Sequence, residues 1–183
     1  MPPYATYPID IAGVHRDLRL FEIKPGLRIA ILNILGDTEL VSACSRALAE
    51  KLSTVDYDIL VTAEAKSIPL AHGLSVETRK PYVILRKSYK PYMGDALRAE
   101  TLSITTGQPQ MLYLDEKDRQ MMEGKKVIIL DDVISTGSTL QGMRMLLTKA
   151  GADVVAEAAI LTEGERAKWS SIISLGHLPV FTD

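Results

Sequence analysis

Two neighbouring acids and a group of hydroxyl side chains stand close together in the segment VIILDDVISTGSTL, residues 127–140. Four apolar residues run directly into Asp131 and Asp132, and a polar turn centred on Gly137 follows. Two like charges at the end of a buried strand require donors or a cation opposite them. The vicinal hydroxyls of a sugar are such donors, and the carboxylates could also stabilise positive charge on the sugar ring. The acids therefore predict a sugar site.

The turn after the acids has the composition of a phosphate-binding loop. It leads into TLQGMRMLLTKAG, where Leu140, Met143 and Leu147 recur at helical spacing, so the turn is also a predicted helix N-terminus. N–H groups there lack partners within the helix and carry partial positive charge, and a glycine lets a ligand approach the backbone. Acids and turn together predict a ribose 5-phosphate as the ligand. The turn residues assigned to it are Val133, Ser135, Thr136, Gly137, Ser138 and Thr139.

Two other kinds of phosphate site are not supported by the sequence. The metal-holding strand of an ATPase needs a G-x-x-x-x-G-K-[ST] loop upstream, and the chain has none. The dinucleotide fingerprint G-x-G-x-x-G is absent as well. A structural turn capped by aspartate would explain the acids, but it would not explain the hydroxyls and the glycine beside them.

The elements that must position these residues follow an alternating pattern. Short β-branched runs alternate with helical patterns, which is typical of βαβ units and a parallel sheet. Predicted strands cover 57–63, 82–87, 125–132 and 152–161, and predicted helices cover 37–52, capped by Asp37 or Thr38, and 67–75. The interval 88–124 is long for a connection and contains a predicted hairpin near Gly107, so a functional flap or a disordered segment is expected there. We predict an α/β fold with a mainly parallel central sheet and flanking helices, as a single domain over residues 1–183.

Composition narrows the possible function classes. The chain has 183 residues, of which 46% are hydrophobic and 24% charged, and a net charge of -2, so it lacks a basic field for nucleic acid. Its single cysteine, Cys44, cannot form an intrachain disulfide, and no stretch is long and apolar enough to span a bilayer. We expect a cytoplasmic protein that binds neither nucleic acid nor membrane, with Cys44 packed in the core.

Four segments carry a resemblance to a known family. Residues 127–140 resemble the phosphoribosyl pyrophosphate (PRPP) signature of the type I phosphoribosyltransferases, in which an apolar run and two acids precede a small residue and Thr-Gly-x-Thr. GVHRDL at 13–18 is similar to the base-covering hood of the adenine branch of that family. AEAKS at 63–67 is similar to its pyrophosphate loop, and RKSYK at 86–90 to the start of its mobile catalytic loop.

The resemblance implies the type I phosphoribosyltransferase fold, with a small N-terminal hood and a long flexible loop, and transfer of the phosphoribosyl group of PRPP to a purine, most readily adenine. It implies Mg2+ bound with PRPP, no metal ligands from the protein, a homodimer, and PRPP and a purine base or nucleotide as partners. Catalytic roles fall on Asp131, Asp132, Arg86 and Lys90. The residues expected to bind substrate are these acids, the turn residues, and Glu64, Ala65, Lys66, Ser67, Arg86, Lys87 and Lys90. The residues expected to bind the base are Val14, His15, Arg16 and Leu161.

Three departures from the family pattern bear on the substrate. Enzymes for 6-oxopurines generally carry an aspartate where this chain has Ser135, which disfavours hypoxanthine and guanine. The adenine branch usually carries a loop glutamate where this chain has Thr105, with Glu100 as the possible replacement, and His15 stands at the hood aromatic. Two alternatives stay open: a PRPP-binding regulatory protein without transferase activity, and a transferase for another purine such as xanthine or hypoxanthine. The sequence assigns no role to Trp169.

Overall fold

The structure is a computed structural model that describes residues 4–102 and 109–182. The strands in this part of the chain are β1 (Thr6–Ile11), β2 (Val14–Lys24), β3 (Leu27–Ile31), β4 (Ile59–Ala63), β5 (Tyr82–Leu85), β6 (Leu97–Leu102), β7 (Pro109–Leu114), β8 (Lys126–Ile134), β9 (Asp153–Glu163), β10 (Ile173–Leu178) and β11 (Phe181–Thr182). The helices are α1 (Thr38–Leu52), α2 (Ile68–Thr78), α3 (Glu116–Met122) and α4 (Ser138–Lys149), with 3-10 turns at Pro91–Met93 and Arg166–Trp169.

A five-stranded parallel sheet with the order β10-β9-β8-β4-β5 forms the centre of the fold. Leu60 and Ile128 pack on one face in a cluster with α1 and α2, while Val61 and Ile129 pack on the other face with α4. Successive side chains of a strand point to opposite faces, so strands covered on both sides must be apolar throughout. The predicted α/β class with a parallel central sheet is confirmed.

Helix α1 begins where its capping residue indicates. The Asp37 side chain accepts a hydrogen bond from the N–H of Leu40 at 3.1 Å, which satisfies one of the unpaired donors at the helix start. Cys44 and Leu48, on its apolar side, are fully buried. Burial raises the pKa of the Cys44 thiol to about 12, so the side chain stays a neutral core residue, as predicted.

The N-terminal hood is an antiparallel sheet with the order β1-β2-β3-β11. Its strands have no counterpart among the predicted elements, because β2 is largely exposed and lacks a sustained apolar alternation. The last strand comes from the far end of the chain, since Phe181 pairs with Arg28 of β3. The Phe181 ring also meets Tyr7 edge to face, with 5.3 Å between ring centroids. Strand β11 therefore completes the hood sheet.

The predicted hairpin is present as the antiparallel pair β6–β7, while its turn near Gly107 and the Thr105 position lie outside the described residues. Ala99, Leu112 and Leu114 are buried in the same cluster as α4. A bridge between Arg86 and Tyr113 ties β7 to the end of β5. The two strands of the expected flap are thus attached to the core rather than separate from it.

Strand β8 extends further than the sequence indicates. It continues to Ile134, because Val133 and Ile134 pair with Leu161 and Thr162 of β9. The prediction that the strand ends at Asp132 is wrong by these two residues, since the acids interrupt the apolar run but not the backbone pairing. In the described part of the chain, no helix has the length and apolarity needed to cross a membrane.

Candidate functional site

The predicted acidic and basic segments lie at the carboxyl ends of three neighbouring strands. Residues 64–67 follow β4, residues 86–90 follow β5, and the acids lie in the last part of β8. Strands β5, β4 and β8 are adjacent and parallel, so their carboxyl ends meet at one edge. Ligands of open α/β sheets bind at this edge. The fold therefore brings these distant segments together.

One serine hydroxyl links the two acids. The Oγ atom of Ser67 lies 2.8 Å from Asp131 Oδ1 and 3.2 Å from Asp132 Oδ1, and it accepts a hydrogen bond from the N–H of Asp132 at 2.9 Å. The same N–H lies 2.9 Å from Asp131 Oδ1. A hydroxyl has one proton, so it donates to one carboxylate at a time. The loop after β4 thus fixes the position of the acid pair.

The protonation of the acid pair is sensitive to what lies opposite it. Burial raises the pKa of Asp131, and the neighbouring Asp132 carboxylate raises it further, to about 7. The hydrogen bond from Ser67 lowers it. Hydroxyl donors or a cation opposite Asp131 would favour its ionised form. A ligand that supplies either would therefore relieve the repulsion between the two carboxylates.

Lys66 lies against the acid pair and links it to the segment after β3. Its Nζ atom donates to the carbonyl oxygen of Leu32 at 3.0 Å and lies 3.2 Å from Asp132 Oδ2. The second distance is an ion-pair contact without hydrogen-bond geometry, and among the described residues Asp132 Oδ2 accepts no hydrogen bond. Buried polar atoms are normally paired, so this oxygen is a candidate acceptor for a ligand that displaces Lys66.

Glu64 holds the start of the predicted catalytic loop. The Nε–H of Arg86 donates to Glu64 Oε1 at 2.8 Å, and the N–H of Lys87 donates to Glu64 Oε2 at 2.9 Å. The Lys87 hydrogen bond, opposed by burial and reinforced by the charge of Arg86, lowers the pKa of Glu64. The carboxylate is therefore ionised at neutral pH. The side chains of Lys87 and Lys90 are exposed.

The turn after β8 begins a helix, as predicted. Helix α4 starts at Ser138, and Gly137 at its N-cap has φ of +81°, a conformation that favours glycine. A cavity of about 40 Å³ is lined by this turn and by Asp131. Its volume exceeds the ~10–15 Å³ that one water requires. The cavity lies between Asp131 and the turn, so an anionic group attached to a sugar held by the acids would lie next to it.

The four residues assigned to base binding lie in two places. Val14 and His15 are on β2, where His15 Nδ1 lies 3.2 Å from Asp10 Oδ1. Arg16 contacts the start of α1, since its Nε–H and one terminal N–H group donate to the two oxygens of Asp37, each at 2.8 Å. Leu161 is fully buried in β9. In this structure the Arg16 guanidinium therefore holds the hood against α1.

Two residues beside the turn have no marker in the sequence. The Nζ atom of Lys168 lies 3.3 Å from the carbonyl oxygen of Thr136, and a Cβ placed on Gly137 would lie 2.8 Å from Cη2 of Trp169. Neither residue belongs to the signature segment. Lys168 and Trp169 lie on the 3-10 turn after β9, and only the folded sheet brings this segment next to residues 135–139. A local sequence pattern therefore could not have identified them.

Comparisons with known proteins show which family and fold the chain resembles. The family model for the phosphoribosyl transferase domain matches residues 32–173. The adenine phosphoribosyltransferase of Thermosipho africanus is 32% identical over 174 residues, which cover 91% of this chain and 98% of that protein. A crystal structure of adenine phosphoribosyltransferase from Thermoanaerobacter pseudethanolicus matches with a TM-score of 0.71 at 22% identity, covering 87% of this chain and 95% of the other.

Two further relatives have other functions. The hypoxanthine/guanine phosphoribosyltransferase of Methanocaldococcus sp. is 40% identical over 113 residues, or 62% of this chain and 54% of that protein. The purine biosynthesis transcriptional repressor PurR of Bacillus subtilis is 31% identical over 143 residues, or 78% of this chain and 49% of the repressor. The chain therefore spans about half the length of these two proteins.

Proposed function

The chain belongs to the phosphoribosyltransferase family, and on that premise we propose that it transfers the 5-phosphoribosyl group of PRPP to a purine base, with adenine as the first candidate. The observation that carries this proposal is the Asp131–Asp132 pair, linked by Ser67, beside a glycine turn at the start of α4. The adenine assignment is supported by the match to the Thermosipho protein over nearly its whole length.

The ribose and its phosphate occupy the edge of β8 in this proposal. The ribose hydroxyls donate to Asp131 and to Asp132 Oδ2, which has no hydrogen-bond donor among the described residues. The 5-phosphate enters the cavity beside Gly137, where backbone N–H groups at the start of α4 face it. Val133, Ser135, Thr136, Ser138 and Thr139 complete this part of the site through their backbone or hydroxyl groups.

The pyrophosphate end of PRPP meets the cationic residues. Lys66 leaves its contact with Asp132 when the ribose hydroxyls arrive and pairs with pyrophosphate instead. Glu64, Ala65 and Ser67 form the loop that presents Lys66. Arg86, oriented by Glu64, and the exposed Lys87 and Lys90 supply further positive charge.

The reaction exchanges one bond at the anomeric carbon. The carbon–oxygen bond to pyrophosphate breaks and its electron pair leaves with pyrophosphate, while a nitrogen lone pair of the base forms the new bond and the base releases its proton to water or to the departing pyrophosphate. Positive charge develops on the ribose during this exchange, and preorganised carboxylates stabilise it. Asp131 and Asp132 are the groups closest to it in this arrangement. Arg86 and Lys90 act on the departing negative charge.

Mg2+ would bind together with PRPP. In this proposal PRPP itself supplies the ligands of the ion, as the family resemblance implies. Mg2+ prefers oxygen ligands, and the phosphate and hydroxyl oxygens of PRPP are ligands of that kind. When bound, the ion neutralises charge on the leaving pyrophosphate.

The base lies under the hood, near Val14, His15 and Arg16, with Leu161 below it in the sheet. Ser135 in place of the aspartate of 6-oxopurine enzymes favours a 6-aminopurine. A transferase for hypoxanthine or guanine is the second candidate, favoured by the 40% identity to the Methanocaldococcus protein. A PRPP-sensing regulator is the third, favoured by the match to PurR.

A base-by-base assay tests the proposal. The protein is incubated with PRPP, Mg2+ and one of adenine, hypoxanthine, guanine or xanthine, and released pyrophosphate and the nucleotide are measured. We expect turnover with adenine above that with any other base. Turnover only with a 6-oxopurine would move the assignment to the second candidate, and PRPP binding without turnover on any base would favour a regulator.

We also propose that residues 1–183 form one transferase domain, because β11 near the C-terminus completes the hood sheet. The homodimer and the cytoplasmic location implied by the family belong to the same proposal. Light scattering coupled to size-exclusion chromatography tests the dimer, since a monomeric mass would contradict it.

A further inference from the structure

The 3-10 turn Arg166–Trp169 lies directly beside the phosphate-binding turn, residues 135–139. Lys168 Nζ donates to the carbonyl oxygen of Thr136 at 3.3 Å and lies 4.6 Å from the centroid of the Trp169 ring. The Trp169 ring lies against Gly137, since a Cβ built there would come within 2.8 Å of Cη2. One short segment after β9 therefore contacts both residues at the tip of the turn.

Trp169 is fixed in place by the core. It is 9% exposed, and its Nε1–H donates to the carbonyl oxygen of Glu163 at 2.9 Å. Its ring packs in one cluster with Ile134 and Leu140, which lie on either side of the phosphate-binding turn. The indole is thus a rigid surface in contact with Gly137. A glycine is required at this position because a Cβ would clash with the ring and because φ is +81°.

The Lys168 contact has a consequence for the other side of the same peptide. In a trans peptide the C=O and the N–H point in opposite directions, so an ammonium group at the Thr136 oxygen leaves the N–H of Gly137 directed away from Lys168. A cation at the carbonyl also polarises that N–H and strengthens it as a donor. The residues that line the cavity include no lysine or arginine, so this peptide is a route by which positive charge can act on a bound phosphate.

Resting on the proposed function, we propose that Lys168 and Trp169 are positioning residues for the 5-phosphate of PRPP. Trp169 fixes the position of the turn through its contact with Gly137. Lys168 fixes the orientation of the Thr136–Gly137 peptide and polarises it. Neither residue touches the substrate. Their effect is confined to the phosphate end of the ligand, because the pyrophosphate end meets residues of the β4 and β5 loops.

The test compares two ligands on the same variants. Binding of ribose 5-phosphate and of pyrophosphate is measured by calorimetry for the wild type, Lys168→Met, Lys168→Arg and Arg166→Met. Arg166 is the matched control, because it is an exposed cation on the same 3-10 turn. We expect Lys168→Met to weaken ribose 5-phosphate binding about fivefold, as the loss of one hydrogen bond of ordinary net strength would do, and to leave pyrophosphate binding unchanged.

The conservative variant and kinetics sharpen this test. Lys168→Arg keeps the cation and should stay within about twofold of the wild type. In steady state, Lys168→Met should raise KM for PRPP with little change in kcat, since uniform binding is lost. Trp169→Phe, which keeps a ring but loses the N–H donor to Glu163, should also weaken ribose 5-phosphate and not pyrophosphate. Equal weakening of both ligands would indicate a general structural defect and would overturn the inference.

The outcomes separate this inference from the proposed function. If Lys168→Met binds ribose 5-phosphate like the wild type while the wild type turns over, the inference fails and the function stands. If the wild type binds ribose 5-phosphate in a Lys168-dependent way but makes no nucleotide with any base, the function fails and the inference stands. A wild type that does not bind ribose 5-phosphate overturns both.

Discussion

Replacing Asp131 by asparagine should stabilise the ligand-free protein above pH 7 while weakening its sugar-phosphate binding. Burial and the charge of Asp132 raise the pKa of Asp131 from 3.8 to about 7. Between about pH 4 and pH 7 the folded protein then holds a proton that the unfolded chain has lost. The stability contributed by this group therefore falls as the pH rises through that window and remains low above it. Asparagine carries no charge at any of these pH values.

The size of the effect follows from the shift. About three pKa units at ~1.4 kcal/mol each set an upper limit of ~4 kcal/mol on the gain in the free energy of unfolding that the substitution can give. Asp131 retains some exposure, and its Oδ1 keeps the contacts with Ser67 and the Asp132 N–H, so we expect about half of that limit, ~2 kcal/mol. For a chain of this length the variant should melt about 4–8 °C above the wild type at pH 8.

Thermal unfolding at pH 5 and pH 8 measures this effect. The gap between Asp131→Asn and the wild type should be clearly larger at pH 8 than at pH 5. Asp153→Asn is the matched control, because Asp153 is an exposed aspartate at the start of the neighbouring strand β9. It should change the melting temperature at pH 8 less than Asp131→Asn does. Equal melting temperatures of Asp131→Asn and the wild type at pH 8 would refute the view that the buried charge of Asp131 beside Asp132 destabilises the ligand-free protein.

Three further substitutions test separate parts of the site. Asp132→Asn should weaken ribose 5-phosphate binding about tenfold or more in calorimetry with the circular dichroism spectrum unchanged, and an unaltered affinity would count against the acid pair as the ribose site. Gly137→Ala should lower the free energy of unfolding by ~2 kcal/mol or more in urea titrations, because it meets both the strained φ and the Trp169 ring, whereas Gly26→Ala, with φ of +74° and open space, should cost ~1 kcal/mol. Equal losses for the two glycines would exclude a role for the ring. Lys66→Met should raise the inhibition constant of pyrophosphate severalfold, and an unchanged constant would show that Lys66 does not reach the leaving group.

The parts of the site that the sequence predicts are those whose residues lie in one contiguous segment. The acids, the turn and the start of α4 follow one another within residues 127–140, so residue type and helical spacing are enough to predict a sugar-phosphate site there. Asp37 as the cap of α1 is equally local. In each case the signal and the structure it predicts lie within a few residues of each other.

The parts that the sequence does not predict depend on contacts between distant segments. The hood strands have no clear apolar alternation, because β2 carries Arg16 on its less exposed face and Phe21 and Ile23 on its exposed face, and β10 has no strong pattern of its own. The contacts of Lys66 with Leu32 and of Lys168 with Thr136 join residues that only the folded sheet brings together. Side-chain partners of this kind are set by topology, which local periodicity does not contain.

A crystal structure with ribose 5-phosphate bound would test the central claim most directly. We predict that the two ring hydroxyls lie within hydrogen-bonding distance of Asp131 and Asp132, that Lys66 Nζ has moved away from Asp132, and that the phosphate lies against the N–H groups of residues 135–139. A sugar phosphate bound elsewhere, with the acids still paired to Lys66 and Ser67, would contradict the proposal that this edge of the sheet is the substrate site.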